Sequence, residues 1–154
     1  MPLTELISAD AIIPAIKASG KKQVLQEMSE KAAKVSGLFS REIFEALLQR
    51  ERLGSTGVGE GVAIPHGKLP RVGRIFGVFA RLAKPVDWES LDAAPVDLVF
   101  LLIAPESAGA DHLKALARIA RAMREPALTA KLRAARDASA LYAMLTQETA
   151  SHAA

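Results

Sequence analysis

The stretch Val96-Asp-Leu-Val-Phe-Leu-Leu-Ile103 is an almost continuous apolar run of strand length. Because side chains of a strand point alternately to the two faces of its sheet, such a run predicts a strand buried on both faces. A second strand is predicted over Ile75–Leu82. A sheet covered on both faces needs helices on both sides, so the sequence predicts an α/β sandwich.

Helical spacing follows this strand in the sequence. The segment Asp111–Met123 predicts an amphipathic helix, and two shorter helices are predicted over 127–133 and 138–145. The expected buried stripe of the first consists of Leu113, Leu116, Ile119, Ala120 and Met123. No interdomain linker is visible, so we predict a single domain over 1–154, with a loose tail over 148–154.

The N-terminal third predicts two further helices. One covers Lys21–Val35 and stops at Gly37, and the next is expected to be capped by Ser40 and to end at Gly54. Before them, the apolar residues 10–16 contain a proline, which suits an edge strand or the start of an irregular segment.

Composition excludes several classes of function. Half of the 154 residues are apolar and 24% are charged, as in a compact domain with a core. No apolar run reaches the roughly 18 residues of a membrane span, and no export signal is apparent, so we expect a cytoplasmic protein. The absence of cysteine removes disulfides and thiol chemistry.

The net charge of +3 arises mainly after residue 113, a pattern more typical of a solvated helix face than of nucleic-acid binding.

A glycine-rich segment leads to a histidine. Four of the eight residues in Gly54-Ser-Thr-Gly-Val-Gly-Glu-Gly61 are glycine, which predicts a loop rather than helix or strand. It continues into Val62-Ala-Ile-Pro-His66-Gly-Lys68, so His66 is expected just beyond a short strand-like piece. The segment lacks the endings of dinucleotide and P-loop motifs, which argues against a nucleotide cofactor.

Three histidines are present, and an imidazole can act as a nucleophile near neutral pH without a metal. His66 suits that role, His112 opens a predicted helix, and His152 lies in the expected tail. Arg50 and Lys68 are candidate cations for an anionic group at this site. An ordinary core or surface role for either of the first two histidines stays open, and no histidine spacing fits a metal motif.

The segment Arg50–Lys68 resembles the phosphorylation-site segment of the mannitol/fructose class of enzyme IIA domains of the bacterial phosphotransferase system, most closely its nitrogen-regulatory type. Pro95–Pro105 and Asp111-His112-Leu113 resemble the next two landmarks of that class. The resemblance implies a mixed β-sheet flanked by helices on both faces. It implies that His66 accepts a phosphoryl group through Nε2 from a phosphohistidine HPr-like carrier (NPr in this branch). By the same resemblance Arg50 stabilises the phosphoryl charge, His112 is a hydrogen-bonding partner, and no metal or organic cofactor takes part.

Two functions remain open on this basis. One is a regulatory phosphocarrier of nitrogen, carbon and potassium metabolism that contacts target proteins, such as kinases or transporters, according to its phosphorylation state. The other is a sugar-transport IIA subunit that passes the phosphoryl group to a separate IIB protein. The absence of cysteine and of a membrane span favours the first. A hydrolase with a histidine base lacks a supporting nucleophile.

Overall fold

The computed structural model describes the backbone of residues 1–153 and the side chains of residues 1–147. Over this range a six-stranded sheet packs against five α-helices. The strands are β1 (Ile12–Ile16), β2 (Gly57–Gly59), β3 (Val62–Ala63), β4 (His66–Leu69), β5 (Phe76–Val86) and β6 (Val96–Pro105). The helices are α1 (Lys21–Ser36), α2 (Ser40–Arg52), α3 (Ala110–Met123), α4 (Pro126–Ala134) and α5 (Ala138–Ala153). The tail expected over 148–154, with His152, lies outside the described side chains and stays a prediction.

The sheet is mixed and is centred on β6. Strand β5 pairs with one edge of β6 in antiparallel fashion, while β3 and then β4 pair with its other edge in parallel. Strand β1 lies parallel to β5 at one end of the sheet, and β2 pairs with β3 at the other. The expected mixed sheet is therefore confirmed, and residues 10–16 contribute an edge strand as predicted.

Both faces of the central strand are covered. Every residue from Leu98 to Ala104 is fully buried, although their side chains alternate between the two faces. Helices α1 and α2 pack together and contact β4 and β5, whereas α3, α4 and α5 form a connected group that contacts β6 and β1. The prediction of helices on both sides of the sheet is confirmed. In the described part of the chain, no helix combines the length and apolar character needed to cross a bilayer.

The first helix ends as predicted, but the second begins differently. Gly37 adopts a left-handed conformation (φ 79°) and its N–H bonds to the Ala33 carbonyl, which closes α1. Ser40 is not the cap of α2, because Phe39 occupies that position and Ser40 is already helical. No side chain caps this end, and α2 stops at Arg52 rather than at Gly54.

The glycine-rich segment is only partly a loop. Contrary to the prediction, Gly57–Gly59 forms strand β2, which pairs antiparallel with β3 at the edge of the sheet. Glu60 (φ 57°) and Gly61 (φ 83°) both have positive φ and make the tight turn between the two strands. Gly61 therefore helps to form the turn, and the glycines before it do not prevent a short edge strand.

The predicted stripe of α3 is partly correct, since Ile119 and Met123 are buried and Leu116 and Ala120 are half-buried against the core, but its first position is wrong. Leu113 was expected to be buried but is 67% exposed, whereas its neighbour His112 is only 6% exposed. The buried positions are His112, Ala115, Arg118, Ile119, Ala122 and Met123. A shift of one residue turns a helix by about 100°, so the stripe begins with an imidazole instead of a leucine. A hydrophobicity count could not detect this, because histidine and arginine are not scored as buried residues.

The central strand should dominate the stability of the fold. Leu98→Ala in β6 should lower the free energy of unfolding by about 2–5 kcal/mol, because the leucine is fully buried between packed layers. Leu91→Ala is the matched control, since Leu91 is fully exposed and should change stability by less than about 0.5 kcal/mol. Urea unfolding followed by circular dichroism measures both variants, and equal losses would contradict the assignment of the core.

Candidate active site at an interrupted strand

His66 lies at the point where a strand resumes beside β6. Strands β3 and β4 follow one another along the same edge, with Val62 opposite Leu98 and His66 opposite Leu102. The interruption falls at Ile64 and Pro65. The sequence had suggested that His66 lies just beyond a strand. In the structure it follows β3 after the interruption and is itself the first residue of β4. The strand fixes its backbone, and the break next to it leaves the ring half-buried.

Two neighbouring residues of β4 face opposite helices. A Cβ placed on Gly67 would come within 3.4 Å of the Ala46 Cβ, so this side of β4 rests closely on α2. The side chain of His66 points to the other face, where α3 begins. There its ring lies beside the ring of His112, with 5.7 Å between the centroids and 51° between the planes. The structure thus brings together the two histidines that the sequence singled out.

The hydrogen bond of His66 defines its tautomer. Its Nδ1 lies 2.9 Å from the Ile64 carbonyl oxygen. Since a carbonyl oxygen can only accept, Nδ1 carries the proton and donates it. In the neutral ring the proton on Nδ1 leaves Nε2 with its lone pair. This is the arrangement that a nucleophilic imidazole requires.

Burial keeps this ring neutral. Loss of solvent lowers the pKa of His66 below its ordinary value of 6.5, and the positive charge of Arg50 lowers it further. The bond to Ile64 and the negative charge of Glu51 act in the opposite direction but do not reverse the shift. The Nε2 lone pair is therefore available at neutral pH.

His112 lies in the first turn of α3 and is nearly fully buried. Burial lowers its pKa, and the charges of His66 and Lys68 lower it further. Its Nδ1 is buried and has no hydrogen-bond partner among the described residues. A neutral imidazole beside the positive end of a helix can donate a hydrogen bond to an anion placed between the two rings.

Two basic side chains flank the pair. Arg50 lies in the last turn of α2, where its Nη1 donates a hydrogen bond to the Gly54 carbonyl (2.8 Å). Lys68 is exposed and lies two residues beyond His66, on the same face of β4. Each charge influences one of the two imidazoles. The site therefore combines a candidate nucleophile, a second ring and two cations.

Sequence analysis missed a buried polar network beside the site. Glu51 accepts hydrogen bonds from Lys21 and Thr56, and the Thr56 hydroxyl accepts one from the buried Trp88. One signal could have indicated the glutamate, because it continues the buried stripe of α2 four residues after Leu47. No pattern in the sequence indicates that Lys21, at the start of α1, meets it.

Comparison with known proteins identifies the family of the chain. Residues 5–148 match the family described as the phosphoenolpyruvate-dependent sugar phosphotransferase system, EIIA 2. A nitrogen regulatory protein of Bradyrhizobium diazoefficiens is 62% identical over 145 residues, which cover 94% of this chain and 95% of the relative. A nitrogen regulatory protein of Klebsiella oxytoca is 38% identical, covering 96% of this chain and 91% of the relative.

Solved structures show the same fold. The nitrogen regulatory protein IIA-Ntr from Neisseria meningitidis superposes with a TM-score of 0.88 at 34% identity, covering 94% of this chain and 99% of that one. The IIA mannitol domain from Escherichia coli superposes with a TM-score of 0.76 at 23% identity, covering 90% and 97%. The second match concerns the fold alone.

The family match and these relatives identify a phosphotransferase component with a phosphocarrier or regulatory role. The chain belongs to the EIIA type-2 family of the phosphotransferase system. Within that family, the relatives described above that are at least 34% identical to the chain, each matched over more than nine tenths of its length, are nitrogen regulatory proteins.

The two depressed pKa values predict the pH dependence of stability. As the pH falls below 6.5, the unfolded chain binds protons on these histidines and the folded state resists them. The free energy of unfolding should therefore decrease below pH 6.5, and these two rings should have no effect above it. Proton NMR titration should place the midpoints of His66 and His112 below 6.5, with His66→Gln and His112→Gln assigning the signals. A midpoint above 6.5 for His66 would contradict the neutral-ring assignment.

Proposed function

We propose that His66 is the phosphoryl acceptor of a phosphocarrier that receives its phosphoryl group from an HPr-like carrier (NPr). The observation that carries this proposal is the hydrogen bond from Nδ1 to the Ile64 carbonyl, because it leaves Nε2 unprotonated. A half-buried ring with a lowered pKa keeps that lone pair available at neutral pH.

The transfer balances without a cofactor. The Nε2 lone pair of His66 forms the new N–P bond as the N–P bond of the donor phosphohistidine breaks, and the electron pair of that bond stays on the donor ring. The proton on Nδ1 does not leave. It continues to bond to the Ile64 carbonyl, which stabilises the positive charge that the ring gains on phosphorylation. Both imidazoles are good leaving groups, so the reaction is reversible in principle.

The surroundings of Nε2 suit a transferring phosphoryl group, whose charge is spread over three oxygens. Arg50 supplies a guanidinium, and His112 supplies a ring N–H from the first turn of α3. The free amides at the start of that helix favour an anion. Lys68 adds a positive charge at the exposed side. In this arrangement His66 is the acceptor, and Arg50 and His112 are catalytic residues that contact the phosphoryl oxygens.

The phosphorylated protein acts as a regulator in this proposal. Phosphohistidine adds nearly two negative charges at a surface that a target protein contacts, which changes docking by repulsion and desolvation. Support comes from nitrogen regulatory relatives that match nearly the whole chain and from the absence of cysteine. In this proposal the protein is cytoplasmic, and its targets are proteins of nitrogen, carbon and potassium metabolism, such as kinases or transporters.

The alternative is a transport subunit that passes its phosphoryl group to a separate IIB protein. One specific observation favours it: a neighbour in fold was solved as a complex of enzyme IIA mannitol with phosphorylated enzyme IIB mannitol of Escherichia coli. That structure is only 23% identical, so the likeness concerns the fold and not the partner. The regulatory function is therefore the preferred one.

Intact-mass spectrometry tests the acceptor. After incubation with phosphoenolpyruvate, enzyme I and the HPr-like carrier, the wild type should gain one acid-labile phosphoryl group and His66→Ala should gain none. His112→Ala should still be labelled, but more slowly, because it loses a donor and not the nucleophile. Full labelling of His66→Ala would refute the acceptor assignment. An unlabelled wild type with active upstream proteins would refute phosphocarrier chemistry as a whole.

A matched pair of arginines tests charge stabilisation. Arg50→Ala should slow phosphorylation at least about tenfold, since losing one donor to a developing oxyanion commonly costs more than that. Arg52→Ala, in the same turn of α2 but exposed, removes the same charge from the chain and should leave the rate near that of the wild type. Equal slowing in both variants would mean that overall charge, and not Arg50, accounts for the effect.

The fate of the phosphoryl group separates the two functions. A sugar-specific IIB protein is added to the isolated phosphorylated protein and, in parallel, to a phosphorylated sugar-transport IIA domain. This protein should retain its phosphoryl group over the time in which the sugar-transport domain loses its own. Rapid discharge would reverse the preference for a regulatory role.

A further inference from the structure

Glu51 is a buried carboxylate beside the candidate acceptor. It follows Ile43 and Leu47 on the buried stripe of α2, and its side chain is only 4% exposed. A charged group in such a position is costly unless other groups satisfy it. The polar partners of Glu51 therefore indicate what it holds in place.

Those partners come from two other segments of the chain. Lys21, at the start of α1, donates to Oε2 at 3.1 Å. The backbone N–H of Thr56 also donates to Oε2, at 2.9 Å, and the Thr56 hydroxyl donates to Oε1. A single carboxylate thus binds both the backbone and the side chain of Thr56. The hydroxyl in turn accepts a hydrogen bond from Trp88 Nε1 at 3.2 Å, so its orientation is fixed.

From Thr56 the hydrogen bonds continue to the imidazole. The Thr56 carbonyl accepts the Ile64 N–H at 3.0 Å. The Ile64 carbonyl accepts Nδ1–H of His66 at 2.9 Å. Ile64 lies at the interruption between β3 and β4, outside both strands. Its N–H bonds to the Thr56 carbonyl, and the next carbonyl along the chain, that of Pro65, accepts a hydrogen bond from the Leu102 N–H of β6. The anchored threonine therefore helps to determine where the acceptor of the imidazole proton lies.

We propose that Glu51 and Thr56 are positioning residues for phosphoryl acceptance, which hold the Ile64 carbonyl where it keeps the proton of His66 on Nδ1. This inference rests on the proposed function of His66. Neither residue contacts the phosphoryl group. They act by favouring one tautomer of His66, because a neutral ring with its proton on Nε2 has no lone pair on that nitrogen to form the N–P bond.

The simplest alternative is that the network only stabilises the fold. Both ideas predict a lower melting temperature when it is cut, so stability does not distinguish them. The nitrogen NMR signals of the His66 ring distinguish the two ideas, since protonated and unprotonated ring nitrogens differ widely in chemical shift. A positioning role predicts that the share of Nε2–H tautomer increases in the variants.

The experiment compares Thr56→Val, Thr56→Ser and Glu51→Gln in the full chain. Thr56→Val keeps the shape and removes the hydroxyl, while Thr56→Ser keeps the hydroxyl and should rescue both readouts. Thr129→Val is the control, because Thr129 is equally buried and its hydroxyl bonds only to backbone carbonyls within α4. Rates of phosphorylation by the HPr-like carrier are measured at the same folded fraction.

We expect Thr56→Val and Glu51→Gln to slow phosphorylation about tenfold or more and to raise the Nε2–H share, as a small displacement of a reacting group can cost up to about 100-fold. Thr56→Ser and Thr129→Val should match the wild type. Unchanged ring signals in Glu51→Gln would overturn the inference, as would slowing without any change in tautomer. If Thr56→Val does not fold, the ring signals and phosphorylation rates of Glu51→Gln and Thr56→Ser still distinguish a positioning role from a purely structural one.

The two proposals fail separately. A wild type that takes up no phosphoryl group refutes the acceptor role of His66, yet its ring signals still report the tautomer. A labelled wild type with an unperturbed tautomer in Glu51→Gln refutes the positioning role alone.

Discussion

The structure depends on the pairing of β6 along both of its edges while both of its faces are buried. A strand in that position has no access to water, so its backbone groups need partners from neighbouring strands. On one side β5 provides them continuously, and on the other side β3 and β4 provide them in turn. At the break between β3 and β4 the partner is the Pro65 carbonyl, which accepts a hydrogen bond from the Leu102 N–H of β6. The candidate active site occupies that break.

The electrostatics of the site follow from the same burial. Two imidazoles lie close together on the covered face of the sheet, and loss of solvent keeps both of them neutral. In the proposed reaction, neutral rings allow one imidazole to act as the nucleophile and the other as a donor. Arg50 lies on the last turn of α2 and Lys68 at the exposed side of β4. Their positive charges lower the pKa of His66 and His112, respectively, and so favour the neutral rings that the proposal requires.

Sequence patterns predicted the fold well where periodicity was strong. The apolar run of β6, the helix that ends at Gly37 and the edge strand near residue 12 could all be read from spacing. Short elements could not be predicted from spacing, because β2 has only three residues and β3 only two, and β3 pairs with β6, which lies far along the chain. In α3 the burial of Ile119 and Met123 was predicted correctly, but that of Leu113 was not, because the buried face starts with His112.

The candidate site was predicted in part. His66, His112 and Arg50 were indicated by residue chemistry together with a resemblance to a family, and the structure places the two rings together. The residues that hold the site were not predicted, because Glu51, Thr56 and Trp88 meet only in three dimensions. A hydrogen bond between side chains far apart in sequence leaves no periodic trace.

The close approach of Gly67 to Ala46 gives the site a fixed dimension. Helix α2, which carries Arg50 and Glu51, rests on β4 at a distance set by the two smallest side chains available. An alanine at position 67 would still fit at ordinary contact distance, whereas a larger side chain there would press on the helix that carries Arg50 and Glu51. The separation of α2 and β4, and with it the distance from these charges to the imidazole, therefore depends on small side chains that take no part in the proposed chemistry.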